Sequence, residues 1–483
     1  MIKEILLCLC LTLLFVCFCT DSGPVVVLKH GSICGQYMKV KGSEKVVEQY
    51  FGIPFAQPPA GPLRLAAPSP VQGWEYILSM VAKSMMLDFT PTGVSEDCLY
   101  LNIYTPSQRS ESDKLPVMVW IHGGALVTGG ACTYDGSPLV YRLGMLGYFS
   151  TGDKNAQGNW GFLDQTAALQ WVLQNIKGFG GDPQSVTIAG ESAGEISASF
   201  LTLSPMTKGL FQRAIFQSGV ETTGGLLHQR PSDVVANVTE CDFSSNEVLT
   251  KCIKELTEEQ IINAQHIFPG ATEVLKSKDF QKVPILVGTT NHEFGWMLPQ
   301  ALFSKDWTSG VNEIIAKESL KTAKTPEDIR DAFTEMLLGD IFMVIPSITV
   351  AFYHRDGHKY PFHMYEFQSI FKDLRPSFVN ADHGDDLGFV FGACFWDGHI
   401  KVGIGTLTEE ENQLCRTVMG YWVNFIRTGS PNGPKLVHWP VYDKSNKYMN
   451  LELQKTEGQS LKMDKLVFFT EELPKKLAAL HKA

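Results

Sequence analysis

The sequence predicts an α/β fold, a central, mostly parallel sheet flanked by helices, and three observations carry that expectation. First, continuous apolar runs such as Leu115-Pro116-Val117-Met118-Val119-Trp120-Ile121 have the pattern of strands buried on both faces. Second, Asn159 to Ile176 has helical patterning, with Leu163, Ala167, Leu169, Trp171 and Val172 available for one apolar face. Strand and helix therefore alternate as in βαβ units. Third, at Val186-Thr187-Ile188-Ala189-Gly190-Glu191-Ser192-Ala193-Gly194 a β-branched run stops at a glycine, a serine sits between two glycines, and a helix-compatible stretch follows. Strand, sharp turn and helix form the context in which G-x-S-x-G presents a nucleophilic serine at a helix N-terminus. Such a turn needs backbone angles that ordinary residues avoid, so small flanking residues are expected to let strand and helix approach. The bare pattern is weak in a chain of 43 glycines. Its context singles out Ser192.

The remaining elements follow in order. Short alternating stretches from Val25 to Gln49 read as a β-meander. Phe51 to Pro59 carries too much proline for a central strand and reads as irregular packed chain. Ser95 to Tyr104 leads into a strand. The Leu115–Ile121 run ends in His122-Gly123-Gly124-Ala125, a glycine pair that lets backbone amides approach a ligand. Phe179-Gly180-Gly181-Asp182-Pro183 breaks the helix before the nucleophile strand. Val283 to Gly288 and Pro361 to Phe367 read as further strands, each with polar residues in its exit loop.

Composition bounds the function. The 483 residues are 44% hydrophobic and 19% charged, a globular balance able to bury a large core. Length alone suggests two or three domains. No repeat or low-complexity linker interrupts residues 21–483, however, and these read as a single domain with a helical insertion over roughly 220–280. A net charge of −10 with no basic patch argues against a nucleic-acid partner. Residues 1–20 read as a secretory signal peptide: one lysine, an apolar run from Ile5 to Cys19, and a small-residue exit. That run is short of the roughly 18–20 residues a spanning helix needs, and no later stretch is long enough, so no membrane span is expected. The chain is expected to be secreted or to reside in the endoplasmic reticulum lumen. Secretion is preferred, because Leu480-His481-Lys482-Ala483 is no His-x-Glu-Leu-type retrieval signal.

Four of the 11 cysteines lie in the leader. Cys34, Cys98, Cys132, Cys241, Cys252, Cys394 and Cys415 remain, an odd set in a chain where secretion favours disulfides. Cys241 with Cys252 is the best local pair, and Asn237-Val238-Thr239 just before it is an N-glycosylation acceptor.

A serine hydroxyl needs a base, and the base needs an acid to fix its tautomer. On this kind of sheet the expected chain order is Ser, then acid, then His, with the last two on loops after late strands. Glu293, in Asn291-His292-Glu293-Phe294-Gly295-Trp296, and His383, in Ala381-Asp382-His383-Gly384-Asp385-Asp386, stand in such places. Position alone leaves an ordinary surface carboxylate open for Glu293. It also leaves His354, His358, His363 and His399 open beside His383.

The combination of Ser95-Glu96-Asp97-Cys98-Leu99-Tyr100-Leu101-Asn102, Trp120-Ile121-His122-Gly123-Gly124-Ala125-Leu126, Gly190-Glu191-Ser192-Ala193-Gly194, Glu293-Phe294-Gly295-Trp296 and Asp382-His383-Gly384-Asp385 resembles the type-B carboxylesterase family. The resemblance covers nearly the whole mature chain and is greatest to the vertebrate carboxylesterase 2 group. It implies the α/β-hydrolase fold and a serine esterase acting on small-molecule carboxylic esters, broad xenobiotic or lipid esters, without metal or organic cofactor. It implies Ser192 as nucleophile, Glu293 as triad acid and His383 as general base, with the N–H groups of Gly124, Ala125 and Ala193 as oxyanion hole. It also implies a Cys241–Cys252 disulfide and the ion pairs Glu96–Arg64 and Arg142–Asp164. Oligomeric state is not implied.

Four departures from the family pattern stand out. Ser137-Pro138-Leu139-Val140 runs straight into Tyr141 where relatives have a valine-rich buried strand, so one central strand is expected to be missing. The partner expected for Cys98 is absent between Glu75 and Thr90. Phe268-Pro269-Gly270-Ala271-Thr272-Glu273 skips a segment the family has. Glu195 follows Gly194 where the family has a small residue. Losing about five buried β-branched residues at roughly 1.5–3 kcal/mol each forfeits on the order of 10 kcal/mol, comparable to the roughly 5–15 kcal/mol net stability of a typical domain. The chain is therefore expected either to be a splice product or an incomplete gene model of an active esterase, or to close the gap with neighbouring segments. The alternative function is a catalytically inactive member of the family, of the binding or adhesion type or a defective product.

Overall fold

The computed structural model describes residues 23–480 except 41–42, 75–77, 80–93, 127–139, 142–146, 224–230, 258–259, 261–280, 296–323, 326–332, 358–359, 370–379 and 396–406. The leader, Arg142 and the 270–273 junction lie outside the described residues.

The molecule is organised on a seven-stranded sheet: β1 (Leu115–Ile121), β2 (Gly181–Glu191), β3 (Arg213–Gln217), β4 (Ile285–Thr290), β5 (Phe362–Phe367), β6 (Lys447–Leu451) and β7 (Thr456–Gln459). Spatial order follows chain order. β1 to β6 are parallel, and β7 closes the far edge as an antiparallel hairpin with β6. Parallel neighbours need crossovers, and helices Trp160–Asn175, Ala193–Leu203 and Ile345–Gly357 lie in these connections.

Alternation along the strands divides the core between the two faces of the sheet. Ile188, Ala214, Phe216, Ile285, Val287 and Met364 pack on one face with Leu169, Trp171, Leu201 and Ile348 of the helices. Their neighbours Ala189, Ile215, Leu286, Tyr365 and Met449 pack on the other, under Leu414, Tyr421, Trp422 and Phe425 of helix Glu409–Thr428. β4 and β5 are buried at every position.

β1 departs from the expectation of full burial, since each of its seven residues is only partly buried. Among the described residues it stands at the border of the sheet and pairs only with β2. The next strand toward the N-terminus, Tyr100–Pro106, belongs to a separate three-stranded sheet with Val46–Pro54 and Gln36–Lys39. Of the chain between β1 and helix Trp160–Asn175, the described strand Val140–Tyr141 pairs with Val94–Ser95 instead. Most of the chain in which a central strand was expected to be missing, 127–139 and 142–146, lies outside the described residues.

Two smaller expectations are also corrected. The proline-rich stretch after Phe51 is strand as far as Pro54, because a register shift between Tyr50 and Ile53, with Gly52 at φ 68°, places the proline at the strand's last position. β2 already starts at Gly181, and the irregularity of Asp182-Pro183 is absorbed by a register shift before Val186.

Within the expected insertion, helices Pro231–Thr239 and Asn246–Glu255 are joined by the Cys241–Cys252 disulfide, and Asn237 is exposed on the first. Arg64 binds this unit to the N-terminal region. It donates to Glu96 from Nε and Nη2 (2.7 and 2.5 Å) and from Nη1 to the carbonyls of Ile253, Lys254 and Leu256. A buried guanidinium thereby caps a helix C-terminus where cations are favoured. A second disulfide, Cys394–Cys415, which sequence reasoning did not single out, ties the chain after His383 to helix Glu409–Thr428.

Candidate active site

β2 ends at Glu191 and helix Ala193–Leu203 begins two residues later, with Ser192 between them at φ 56°, ψ −126°. A non-glycine residue held there is strained, the conformation expected of an elbow that exposes a nucleophile. Contacts explain the flanking glycines. A Cβ on Gly190 would come within 2.4 Å of the Gly194 backbone, and one on Gly194 within 2.0 Å of the Ile121 carbonyl oxygen. Strand, helix and the end of β1 are too close for any side chain at either place. The Ser192 amide donates to the Gln217 carbonyl (2.9 Å), anchoring the turn to β3.

The loop leaving β1 turns against this elbow. A Cβ on Gly123 would lie 3.1 Å from Ser192 Cβ and 2.6 Å from Glu191 Oε2, so that position too requires glycine. Beyond it Gly124, Ala125 and Leu126 have φ of 115°, 56° and 61°, a left-handed run that turns the chain beside the serine. His122 Nδ1 lies 2.7 Å from the Gly123 carbonyl oxygen; a carbonyl only accepts, so Nδ1 carries the proton and donates it. The protein around its imidazole holds the His122 pKa below the ordinary range by desolvation.

Glu293 and His383 lie on adjoining loops. The amide of His292 donates to the Ala381 carbonyl, and that of Ala381 to Asn291 Oδ1, which zips the exit of β4 to the segment before His383. Glu293, 1% exposed, accepts from the Thr290 amide at Oε1 (2.8 Å) and from His383 Nδ1 at Oε2 (2.5 Å). The Phe294 ring stacks on the imidazole at 4.7 Å.

Sequence reasoning missed Glu191. Its Oε1 lies 3.1 Å from His383 Nε2, so two carboxylates flank the imidazole. Burial alone would lower the His383 pKa, but Glu191 and Glu293 raise it to about 9. Burial pushes Glu293 up as well, yet the His383 charge and the hydrogen bonds it accepts hold it below the ordinary range. Glu191 is pushed up to about 7 by burial, against the pull of His383. Adjacency to Ser192 was the available signal for Glu191, but only the fold shows that it faces the histidine loop.

Close to Glu293 and His383, Asp386 accepts from Gln217 Nε2 and the Tyr365 hydroxyl (2.8 Å each), and Trp422 donates to Gln217 Oε1. His354 and His363, open by position, are buried on the sheet and its covering helix, away from this cluster of partners; His363 meets the Pro440 carbonyl. His358 and His399 lie outside the described residues. No group of three or more His, Cys, Asp or Glu residues suited to a metal ion occurs among the described residues, nor any helix long and apolar enough to cross a membrane.

Comparison with known proteins shows the family of the chain. The model of the Carboxylesterase family matches residues 22–469. The chain is 40% identical to the human (Homo sapiens) protein named cocaine esterase, over 95% of this chain and 93% of that one. It is 39% identical to acylcarnitine hydrolase of Mus musculus, with 95% and 93% covered. It is 37% identical to pyrethroid hydrolase Ces2e of Rattus norvegicus, with 97% and 94% covered. The first alignment spans 529 positions, more than the 483 residues of this chain, so that relative carries residues with no counterpart here.

Proposed function

The chain belongs to the carboxylesterase family of carboxylic ester hydrolases, and from that premise we propose that it hydrolyses small-molecule carboxylic esters through an acyl-enzyme on Ser192. The observation that carries this reading is the 2.5 Å bond between His383 and buried Glu293 on loops adjoining the strained Ser192 elbow. His383 takes the Ser192 proton at Nε2 as Oγ bonds to the ester carbonyl carbon. The N–H groups of Gly124, Ala125 and Ala193 receive the negative charge that develops on the carbonyl oxygen. Collapse breaks the ester C–O bond, and the alcohol leaves with the proton from His383. Water then gives a proton to His383 and attacks the acyl carbon, and Ser192 regains its proton as the acid departs. Glu293 holds the imidazole with Nε2 toward the serine and offsets its charge.

The relatives' names specify cocaine, acylcarnitine and pyrethroids, which supports a small-molecule substrate. The apolar leader and the acceptor at Asn237 support a secretory route, to the medium or the endoplasmic reticulum lumen.

Hydrolysis of p-nitrophenyl acetate and butyrate by the purified protein tests the reading. Ser192→Ala is expected to reduce kcat on the order of 10⁶-fold with an unchanged cooperative melt. A folded native protein without Ser192-dependent turnover would refute it. One observation favours a catalytically silent member instead: among the described residues no hydrogen bond joins Ser192 Oγ to His383, whose Nε2 faces Glu191. Labelling of Ser192 by an organophosphonate separates the two, because a silent chain stays unlabelled.

A further inference from the structure

Glu195 is the third residue of the helix that starts from Ser192. It is 0% exposed, and neither carboxyl oxygen has a hydrogen-bond partner among the described residues. Acidic groups act on it from five elements, Glu191 from the end of β2, Glu221 from the turn after β3, Glu293 from the turn after β4, Tyr365 from β5 and Asp386 from helix Asp385–Val390, while the exit of β1 brings His122, whose pKa desolvation holds below the ordinary range. Glu221 repeats the situation, with 0% exposure and both oxygens without a partner. The basic group that acts on these acids, His383, is directed at Glu191 and Glu293 rather than at Glu195.

Two effects compete at Glu195. The helix N-terminus attracts a negative charge there, but its pull is weak beside the cost of burying a carboxylate that nothing hydrogen-bonds and that other carboxylates repel. The neutral form wins, and burial together with these neighbours holds the group well above the ordinary carboxylate range.

We propose that Glu195 is an electrostatic positioning residue of acyl transfer: uncharged, it leaves the helix N-terminus free to stabilise an oxyanion at Ser192, and ionised, it opposes that oxyanion and stops the reaction. The role rests on the esterase reading above. Ala193, assigned there to the oxyanion hole, lies in the same helical turn, so a charge on Glu195 acts on the developing oxyanion through little intervening solvent.

The test is kcat/KM for p-nitrophenyl acetate across neutral to strongly alkaline pH, corrected with Ser192→Ala, for the native protein, Glu195→Gln and Glu221→Gln, with a melting curve for each. The native profile is expected to rise as His383 loses its proton and then to fall about tenfold per pH unit as Glu195 ionises. Glu195→Gln, an isosteric change, is expected to stay within about threefold of the native optimum and to lose the alkaline fall. Glu221→Gln removes one repelling neighbour, which makes ionisation of Glu195 easier, so its fall should move to lower pH. An alkaline fall that persists unchanged in folded Glu195→Gln overturns the role, as does a fall that stays in place in Glu221→Gln. Absence of Ser192-dependent turnover in the native chain overturns the esterase reading itself, and this role with it.

Discussion

At the scale of single residues, His383 is held from both sides. Glu293 holds it at Nδ1, while Glu191 stands 3.1 Å from Nε2, the nitrogen that accepts the serine proton in the proposed mechanism. Both carboxylates favour the imidazolium, whose pKa rises to about 9, and an imidazolium cannot act as a base. Activity should therefore rise with pH through that region. Glu191→Gln removes one of the two charges and should move the rising limb of kcat/KM down by about one pH unit. A pH–rate profile decides this, and an unmoved limb would show that Glu191 does not act on the base. Ser192 could be read from sequence because its glycine neighbours encode the turn. Glu293 and His383 could be assigned only by resemblance, since each needs a partner 90 residues away that no local pattern reveals. The environment of Glu195 was legible only as an oddity of composition, because its meaning depends on carboxylates brought in from four other elements.

At the scale of elements, the elbow depends on backbone contact rather than on side-chain packing. A methyl group at Gly194 would meet the carbonyl oxygens of Ile121 and His122 at 2.0 and 2.6 Å, so the exit of β1 would have to leave the helix. Gly194→Ala should destabilise the protein by about 3 kcal/mol or more, at the upper end of overpacking costs, and should displace the loop of Gly124 and Ala125 from the serine. Gly209 provides the control. At φ 82° with nothing within 4 Å of an added methyl group, its alanine variant pays only the left-handed backbone cost of about 1–2 kcal/mol. Thermal melts compare the two, and equal losses would refute the contact argument. The elements β2 to β5 were legible because apolar runs in a parallel sheet are buried on both faces. The start of β2 and the end of Val46–Pro54 were not, because register shifts let strands pass through glycine and proline positions that local rules treat as breaks.

At the scale of the whole molecule, the apolar run of β1 reads as a strand from the middle of a sheet and, among the described residues, stands at its border, partly exposed along its length. Its apolar run could be read from sequence, whereas its place beside β2 required the topology. The buried acids impose a second global property. Glu221, raised by burial to about 8, and Glu191, raised to about 7, keep protons in the folded state that an unfolded chain releases above the ordinary carboxylate pKa of 4.5. His383, raised from 6.5 to about 9 by its two carboxylates against the effect of burial, likewise keeps its proton longer than the unfolded chain does. Between about pH 5 and 9 the folded state therefore binds more protons, and stability must fall as pH rises, on the order of several kcal/mol over that window. Glu293 has the opposite sign: its lowered pKa contributes stability above its unfolded value, and this is lost as pH falls through the folded one. The melting temperature should thus be highest near pH 5, lower at pH 7 and lowest at pH 9, where deprotonated His383 makes the reaction fastest. Calorimetric melts at the three pH values test this, and a melting temperature that holds or climbs from pH 5 to 9 would mean that the carboxyl cluster is ionised in the folded protein.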